Sequence, residues 1–572
     1  MSTKRKGIQT TLLALAIGVL LLWLVVLPLG LMFFGSFTSS HSPLEAGGVL
    51  TLEKYRLAYS DPELRRAWWN TILFSTGTVA FATMFGLLIA VFLSRTDVPF
   101  RGTIETLTLL PLAIPPYLLA IGWIMLLNPT IGIMNRALME WLGLRSAPIS
   151  IYGMAGMIFV EGLYHLPVVY LIVKGSLRSV DPAMEEVASL SGAGPLYIFR
   201  RITLPLARPV ILAAMVLVFV RSVGSFAIPI YIGSRKGINV ISTKIYDVIS
   251  ETFPTNYTLA AALSASLLVL AALLLLAQRF FTGRVERYQI VGGRGYSSGQ
   301  FMKGAAGLGN LRFLISGGIL TFLFVTLVLP VGMIVITSFQ SPLIDLFDFS
   351  SLSLKNYVSL FNSPLNGRAI RNSLLLSFVG AGLGVTVSAL TSYLIHRTRI
   401  RFRAGLHFLS ILPGVVPGVT LAVAFLWTYL TMKWLGIYGT LWILLIAYVT
   451  RFLPEATRAT QGGIQAIHSQ LEEAARITGA SLFRILRRII FPLARENLFS
   501  AFLLLFMIYL REFAMSIFLT AHGNEVISMA IFDAWRNANL EGAMAVSTVL
   551  VGILMITLAV SRWVFRIRVT GL

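Results

Sequence analysis

Two short segments of this 572-residue chain carry the same arrangement of acid, small residue, glycine and proline. The first is Glu186-Val187-Ala188, three residues, Gly192, nine residues, then Ile202-Thr203-Leu204-Pro205. The second is Glu473-Ala474-Ala475, three residues, Gly479, nine residues, then Ile489-Ile490-Phe491-Pro492. The spacing is kept throughout, since 473 − 186, 479 − 192 and 492 − 205 all equal 287. The chemistry such a pattern supports is recognition rather than bond-making. Carboxylates sit at the positive end of a short helix. Ala188 and Ala475 allow another surface to approach closely, and glycine tolerates the left-handed turn that ends the helix. Arg200, Arg201, Arg487 and Arg488 follow, and Pro205 and Pro492 mark the return to an apolar run. Asp181-Pro182 supplies a helix start for the first copy. In the second, Ser469 is the expected cap, with Glu472 completing a capping box.

Reacting groups are otherwise sparse. There is no cysteine, and the six histidines form no ligand-spaced cluster. No convergent nucleophile, base or metal set is visible, so no catalytic residue is assigned and no metal site is expected. The phosphate loop Gly-x-x-x-x-Gly-Lys-Ser/Thr does not occur. Any ATP-driven step must therefore draw its energy from another protein. Arg511 and Glu512 stand inside the eleventh apolar run, where ionisable groups mark pathways or buried pairs. At the 287 offset they correspond to Gly224 and Ser225, and Phe513 corresponds to Phe226. Ser225, Phe226, Glu512 and Phe513 are the candidates for a translocation pathway between two halves. A structural neutralising role for Arg511 and Glu512 is the competing reading. Arg221, Glu161 and His165 are read as structural.

The elements that must position these residues are membrane spans. Hydrophobic residues make up 56% of the chain and charged residues 12%, against about 25% charged in soluble domains. Runs of about 20 apolar residues cross a bilayer as helices. They lie near 11–35, 70–94, 104–128, 151–173, 206–231 and 259–281, and again near 311–338, 371–395, 404–430, 436–456, 496–520 and 541–564. The fold class is thus an all-α membrane protein, with about twelve transmembrane helices in two homologous six-helix halves. The first run is longer than a signal-peptide core and lacks a convincing cleavage site, so it is read as a retained span. The halves occupy 1–281 (core 66–281) and 311–572 (core 368–564), joined by 282–310. That linker holds eight glycines and reads as a tether.

The net charge of +22 lies in short loops between apolar runs. It fits the positive-inside rule rather than a nucleic-acid surface, and no nucleic-acid partner is expected. Lys4, Arg5 and Lys6, the linker arginines, Arg397 to Arg403, and Arg562, Arg566 and Arg568 all fall on one side of twelve spans. Both termini are placed in the cytoplasm on that count. The repeat extends to the spans themselves. Asn70-Thr71 matches Asn372-Ser373, and Pro111 and Pro115 match Pro413 and Pro417 (372 − 70 = 302; 413 − 111 = 302). Leu166-Pro167 matches Leu453-Pro454 at 287, which places about fifteen extra residues (302 − 287) near Asn128–Ser150. The paired prolines are expected to break or kink the third and ninth spans.

With these residues in place, the chain resembles the permeases of binding-protein-dependent ABC importers, departing mildly at Val187 and Phe491. The resemblance covers roughly 66–281 and 368–564. It implies that the two elbows are coupling helices, with Glu186, Ala188, Gly192, Glu473, Ala475 and Gly479 contacting two copies of a cytoplasmic ABC ATPase. ATP and Mg would bind that partner, and this chain would hold no cofactor. A periplasmic or lipid-anchored binding protein would deliver substrate, and the site of action would be the bacterial inner membrane. The duplicated order and Arg511-Glu512-Phe513-Ala514 look most like fused ferric iron permeases. Phosphonate, thiamine and polyamine permeases share much of the pattern. A gradient-driven secondary transporter also has twelve spans and repeats, but the paired elbows argue against it.

Overall fold

A computed structural model of the chain describes residues 2–45, 48–179, 182–282, 309–341 and 352–565. Most of the linker, Asp181 and the basic C-terminal residues Arg566 and Arg568 lie outside the described residues. Among the described residues, eight helices are long and apolar enough to cross a membrane: Ile8–Gly35, Pro62–Arg95, Met154–Leu177, Leu196–Val223, Tyr257–Gln278, Leu311–Ser338, Pro364–Arg397 and Leu540–Ser561. Three more are bent pairs, Arg101–Leu112 with Pro116–Leu127, Arg403–Gly414 with Gly418–Thr431, and Leu482–Leu493 with Arg495–Leu510. Leu441–Arg451, continued by Leu453–Gln465 after a break at Phe452, takes the tenth place. Numbered in chain order, these make two sets of six.

Proline writes much of this geometry. The third and ninth spans do more than kink: their arms meet at 104° and 106°. Pro115 and Pro417 stand at these corners in extended conformation and start the second arm. Neither can donate a backbone hydrogen bond, and each keeps the residue before it out of the helical region. Pro167 is carried inside a continuous helix, whereas its counterpart Pro454 opens a new one after Phe452. Among the described residues, four of the five π-helical turns fall in matched pairs, Leu22–Val26 with Phe324–Val328 and Phe199–Thr203 with Leu486–Ile490. Each stands just before a proline, Pro28, Pro330, Pro205 or Pro492. Proline leaves the carbonyl four residues back without its helical donor, and a wider turn absorbs the defect.

The halves are interlocked. The end of the first span packs on the second arm of the ninth, and the end of the seventh packs on the second arm of the third. Contact is close enough to require glycine, because a Cβ on Gly35 would fall 2.1 Å from the Trp427 ring, and one on Gly122 would fall 2.5 Å from Pro330 O. Trp123 Nε1–H donates to Thr326 O at 3.2 Å. That carbonyl is four residues before Pro330, so an indole from one half satisfies a group that proline leaves open in the other. The extra residues of the first half form a helix, Ile133–Leu142. Buried Asn135 bolts it down by donating to Leu127 O at 3.0 Å and Ile149 O at 2.7 Å.

Candidate functional site

Both elbows fold as the spacing requires. Short helices Pro182–Leu190 and Ser469–Ile477 end at Gly192 and Gly479, whose φ angles are +85° and +86°. Ala193 N–H donates to Ala188 O at 3.0 Å, and Ala480 N–H donates to Ala475 O at 2.9 Å. Ala188 and Ala475 therefore close their turns through main-chain carbonyls, while their side chains stay partly exposed. Glu473 is exposed. Glu186 lies on the first elbow helix, and its side chain falls outside the described residues.

The second helix start differs from expectation. His468, in extended conformation, precedes the helix, and no side-chain cap bond forms there. Ser469 is already the first helical residue, and Glu472 points inward instead of completing a capping box. Glu472 is buried, accepts from Tyr393 Oη at 3.1 Å, and lies 3.7 Å from Arg397 Nε and 3.5 Å from Arg476. Its counterpart Glu185 pairs with Arg95 at 3.1 Å and accepts from Thr203 Oγ1 at 2.7 Å. Arg95 and Arg397 also donate to Leu177 O and Ile464 O, each at 2.8 Å. The two sets are equivalent, since 397 − 95 = 302 and both 472 − 185 and 464 − 177 equal 287. Each elbow is thus tied by a buried ion pair to the end of the second or eighth span. Sequence reasoning missed Arg95 and Arg397, although charges kept at matched register in both halves were the available signal.

Outward, the elbows present unpartnered apolar side chains. Leu190 and Ile477 are 89% and 86% exposed, and Leu196 and Phe483 are 68% and 71% exposed. Met184 and Leu471 are exposed beside them. Every pair is separated by 287. Arg200, Arg201, Arg487 and Arg488 are exposed nearby. The result is a repeated exposed apolar patch rimmed by cations, on the elbow helices and the first turns of the fifth and eleventh spans.

The pathway candidates gather at the other end of the fifth and eleventh spans. Arg511 and Glu512 are not within a helix as expected, because the eleventh span ends at Leu510 and a break follows before Ser516–Leu519. Glu512 is buried, and its carboxylate accepts from Met515 N at 3.0 Å, Ser516 N at 3.2 Å and Ser516 Oγ at 3.1 Å. It caps a helical turn and does not line open space in this conformation. In the first half the acid has moved to the fourth span, where buried Glu161 accepts from Ser225 Oγ at 2.8 Å and meets His165 Nε2 at 3.1 Å. Arg511 reaches across the halves to donate to Leu112 O, at the corner of the third span. Arg451 donates within its own half to Val416 O at the corner of the ninth.

Phe226 and Phe513 do meet, with ring centroids 5.7 Å apart, and they anchor an aromatic plug between the halves. Phe226 also lies 5.7 Å from Phe518, and its equivalent Phe513 lies 5.9 Å from Tyr231. Phe226 is 5.8 Å from Tyr246, and Phe513 is 5.5 Å from Phe532. Tyr231 and Tyr246 match Phe518 and Phe532 in register (518 − 231 = 287; 532 − 246 = 286). Contacts repeated this way describe a pseudo-twofold seal of tilted rings. Beyond it, Arg536 of the second half pairs with Glu251 of the first at 2.7 Å. Burial raises the matched Asp247 and Asp533 carboxyls there above their ordinary value. Among the described residues no group of three or more His, Cys, Asp or Glu is placed to hold a metal.

Known proteins share this pattern. The chain is 26% identical over 506 residues to a ferric transport system permease protein of Actinobacillus pleuropneumoniae, covering 86% of this chain and 70% of that one. It is 23% identical over 498 residues to an Fe(3+)-transport system permease protein of Haemophilus influenzae, covering 86% and 88%. It is also 26% identical over 262 residues to a spermidine/putrescine transport system permease protein of Escherichia coli K12, covering 45% of this chain and 96% of that one. One half here therefore matches nearly a whole permease there. The pattern of the family described as "Binding-protein-dependent transport system inner membrane component" matches residues 82–287 and 384–568. This chain, with that pattern once in each half, belongs to the binding-protein-dependent inner membrane components of ABC transport systems.

Proposed function

We propose that the chain is the permease of an ATP-driven importer that carries ferric iron across the bacterial inner membrane. The observation that carries the reading is the paired apolar elbow, Met184, Leu190 and Leu196 against Leu471, Ile477 and Phe483. Two equal patches suit two equal partners. Each elbow docks one cytoplasmic ABC ATPase, which holds the ATP and Mg. A binding protein delivers substrate to the opposite face, where the plug stands. Both termini share the cytoplasmic side with the elbows. The choice of iron rests on the ferric permeases named above, whose likeness runs through both halves.

In this reading the structure is a resting state, closed toward the binding-protein side. When the ATPases close on ATP, the buried ion pairs carry elbow movement to the second and eighth spans. The interlocked first and seventh spans keep the halves moving against each other. The plug then parts, because each state is stabilised by different partner contacts. Proteoliposomes containing the chain, its ATPase and its iron-loaded binding protein are expected to accumulate radioactive iron only with hydrolysable ATP and Mg. Accumulation driven by an ion gradient without ATP would favour a secondary transporter instead, and ATP-driven uptake of another substrate without iron uptake would overturn the ferric part alone.

A further inference from the structure

Below the plug, on the elbow side, the pathway carries cations. Arg221 lies in the last turn of the fifth span. It stands nine residues from exposed Leu212, which is about 180° around a helix, so it faces away from the lipid-exposed side. Arg221 is itself exposed, and it makes no hydrogen bond or ion pair among the described residues. Three residues on, Gly224 packs against Pro417 of the other half so tightly that a Cβ would fall 2.8 Å from that ring. The next residue, Gly418, lies against Arg451, whose guanidinium carbon would be 3.3 Å from a Cβ there. Arg511, the register partner of Gly224, occupies the corresponding corner of the third span through Leu112 O. Arg221 and Arg451 thus face each other across the halves, and Arg511 holds the matching corner.

The acids nearby offset Arg451 and leave Arg221 uncompensated. Arg451 has Glu455 and Glu512 beside it and Arg221 facing it. Glu512 accepts from Met515 and Ser516, Glu161 accepts from Ser225 and meets His165, and neither pairs with Arg221 among the described residues. Arg451 and Arg511 each give a donor to a corner carbonyl, yet a guanidinium has five donors and keeps its charge. Arg221 and Arg511 have no acid within ion-pair distance among the described residues. A helix interior that holds unpaired charge at membrane depth marks a conducted species of opposite sign.

We infer that Arg221, with Arg451 facing it, makes this level of the pathway selective for anionic cargo. A metal ion passes it carrying its anionic ligands rather than as a bare or hydrated cation. For iron the inference rests on the ferric reading above; the charge selectivity itself does not. The test therefore opens the pore without using substrate. Phe226→Ala/Phe513→Ala chains in planar bilayers under a potassium chloride gradient are expected to prefer chloride over potassium. Adding Arg221→Glu is expected to lower that preference by roughly fivefold or more, since about 1 kcal/mol of changed electrostatic interaction with the ion suffices for that. Preference for potassium, or no change with Arg221→Glu, would overturn the inference while leaving the importer reading standing.

A sealed double variant is answered by uptake in the intact complex. Arg221→Gln is expected to cut substrate uptake about tenfold and Arg221→Lys to restore most of it, because only the charge is required. Wild-type uptake in Arg221→Glu would overturn the inference by this route. Failure of the wild-type complex to take up iron, with chloride preference intact, would remove the ferric reading alone.

Discussion

A chain carrying Leu190→Asp together with Ile477→Asp is expected to lose its ATPase partners and its uptake while remaining folded. Both side chains are almost fully exposed, so the permease gives up no packing of its own. Apolar anchors at the centre of an interface are worth about 2 kcal/mol or more each, which is about a thirtyfold weakening at each dock. An aspartate adds the cost of desolvating a charge in an apolar cleft. Co-purification of the ATPase should fail, and ATP-dependent uptake should fall to background. The thermal transition of the permease in detergent should not move. Single variants should show intermediate loss, since each elbow holds a separate partner. Retained ATPase with lost uptake would place the docking surface elsewhere on the elbows.

The second large effect lies behind the elbow. Removing Arg397 leaves Glu472 buried beside Tyr393 with only the partly exposed Arg476 to face it. Breaking one partner of a buried ion pair costs about 3–5 kcal/mol. Arg397 also holds Ile464 O and Ile467 O, so the end of the tenth span loses its tie as well. Arg397→Ala should therefore destabilise the second half clearly in chemical or thermal unfolding, and uptake should drop even where ATPase still binds. The pair Arg397→Met/Glu472→Gln should recover part of the stability, because no uncompensated charge is then buried. It should not recover uptake in full if the pair transmits elbow movement. Arg95→Ala should do the same in the first half, where Thr203 still donates to Glu185 and softens the loss. An unfolding transition unchanged in Arg397→Ala would remove the ion pair from the account.

What the sequence made legible follows from what is local. Gly192 and Gly479 announced the elbows because a left-handed turn needs a residue without a Cβ, and both adopt that conformation. Twofold register exposed Phe226 and Phe513, since a duplicated machine places equivalent residues on its axis. The same offset relates Tyr231 to Phe518 and, one residue shorter, Tyr246 to Phe532, but the sequence did not single these out, because aromatic residues in apolar runs carry no sign of which face they take. Pro115 and Pro417 promised a break without its size: a right-angled corner depends on Arg511 and Arg451 satisfying the freed carbonyls from distant segments. Hydropathy carried the eleventh span past Arg511 and Glu512, because both are flanked by apolar residues on either side. Local preference put the cap at Ser469, one residue late, and missed that Glu472 is claimed by Arg397 from a span 75 residues earlier (472 − 397). The interlocking of the first and seventh spans had no local sign, being a matter of which half's neighbour offers the smaller residue.

Absence of cysteine from all 572 residues makes the central claim directly measurable. Single cysteines placed at Leu190 and at Ile477 can be challenged with a short cross-linker in membranes that hold the whole transporter. Two elbows that couple two ATPases should each cross-link to one ATPase subunit, and the cross-link should arrest uptake until a reductant releases it. Uptake that proceeds while neither position ever joins an ATPase would contradict the account.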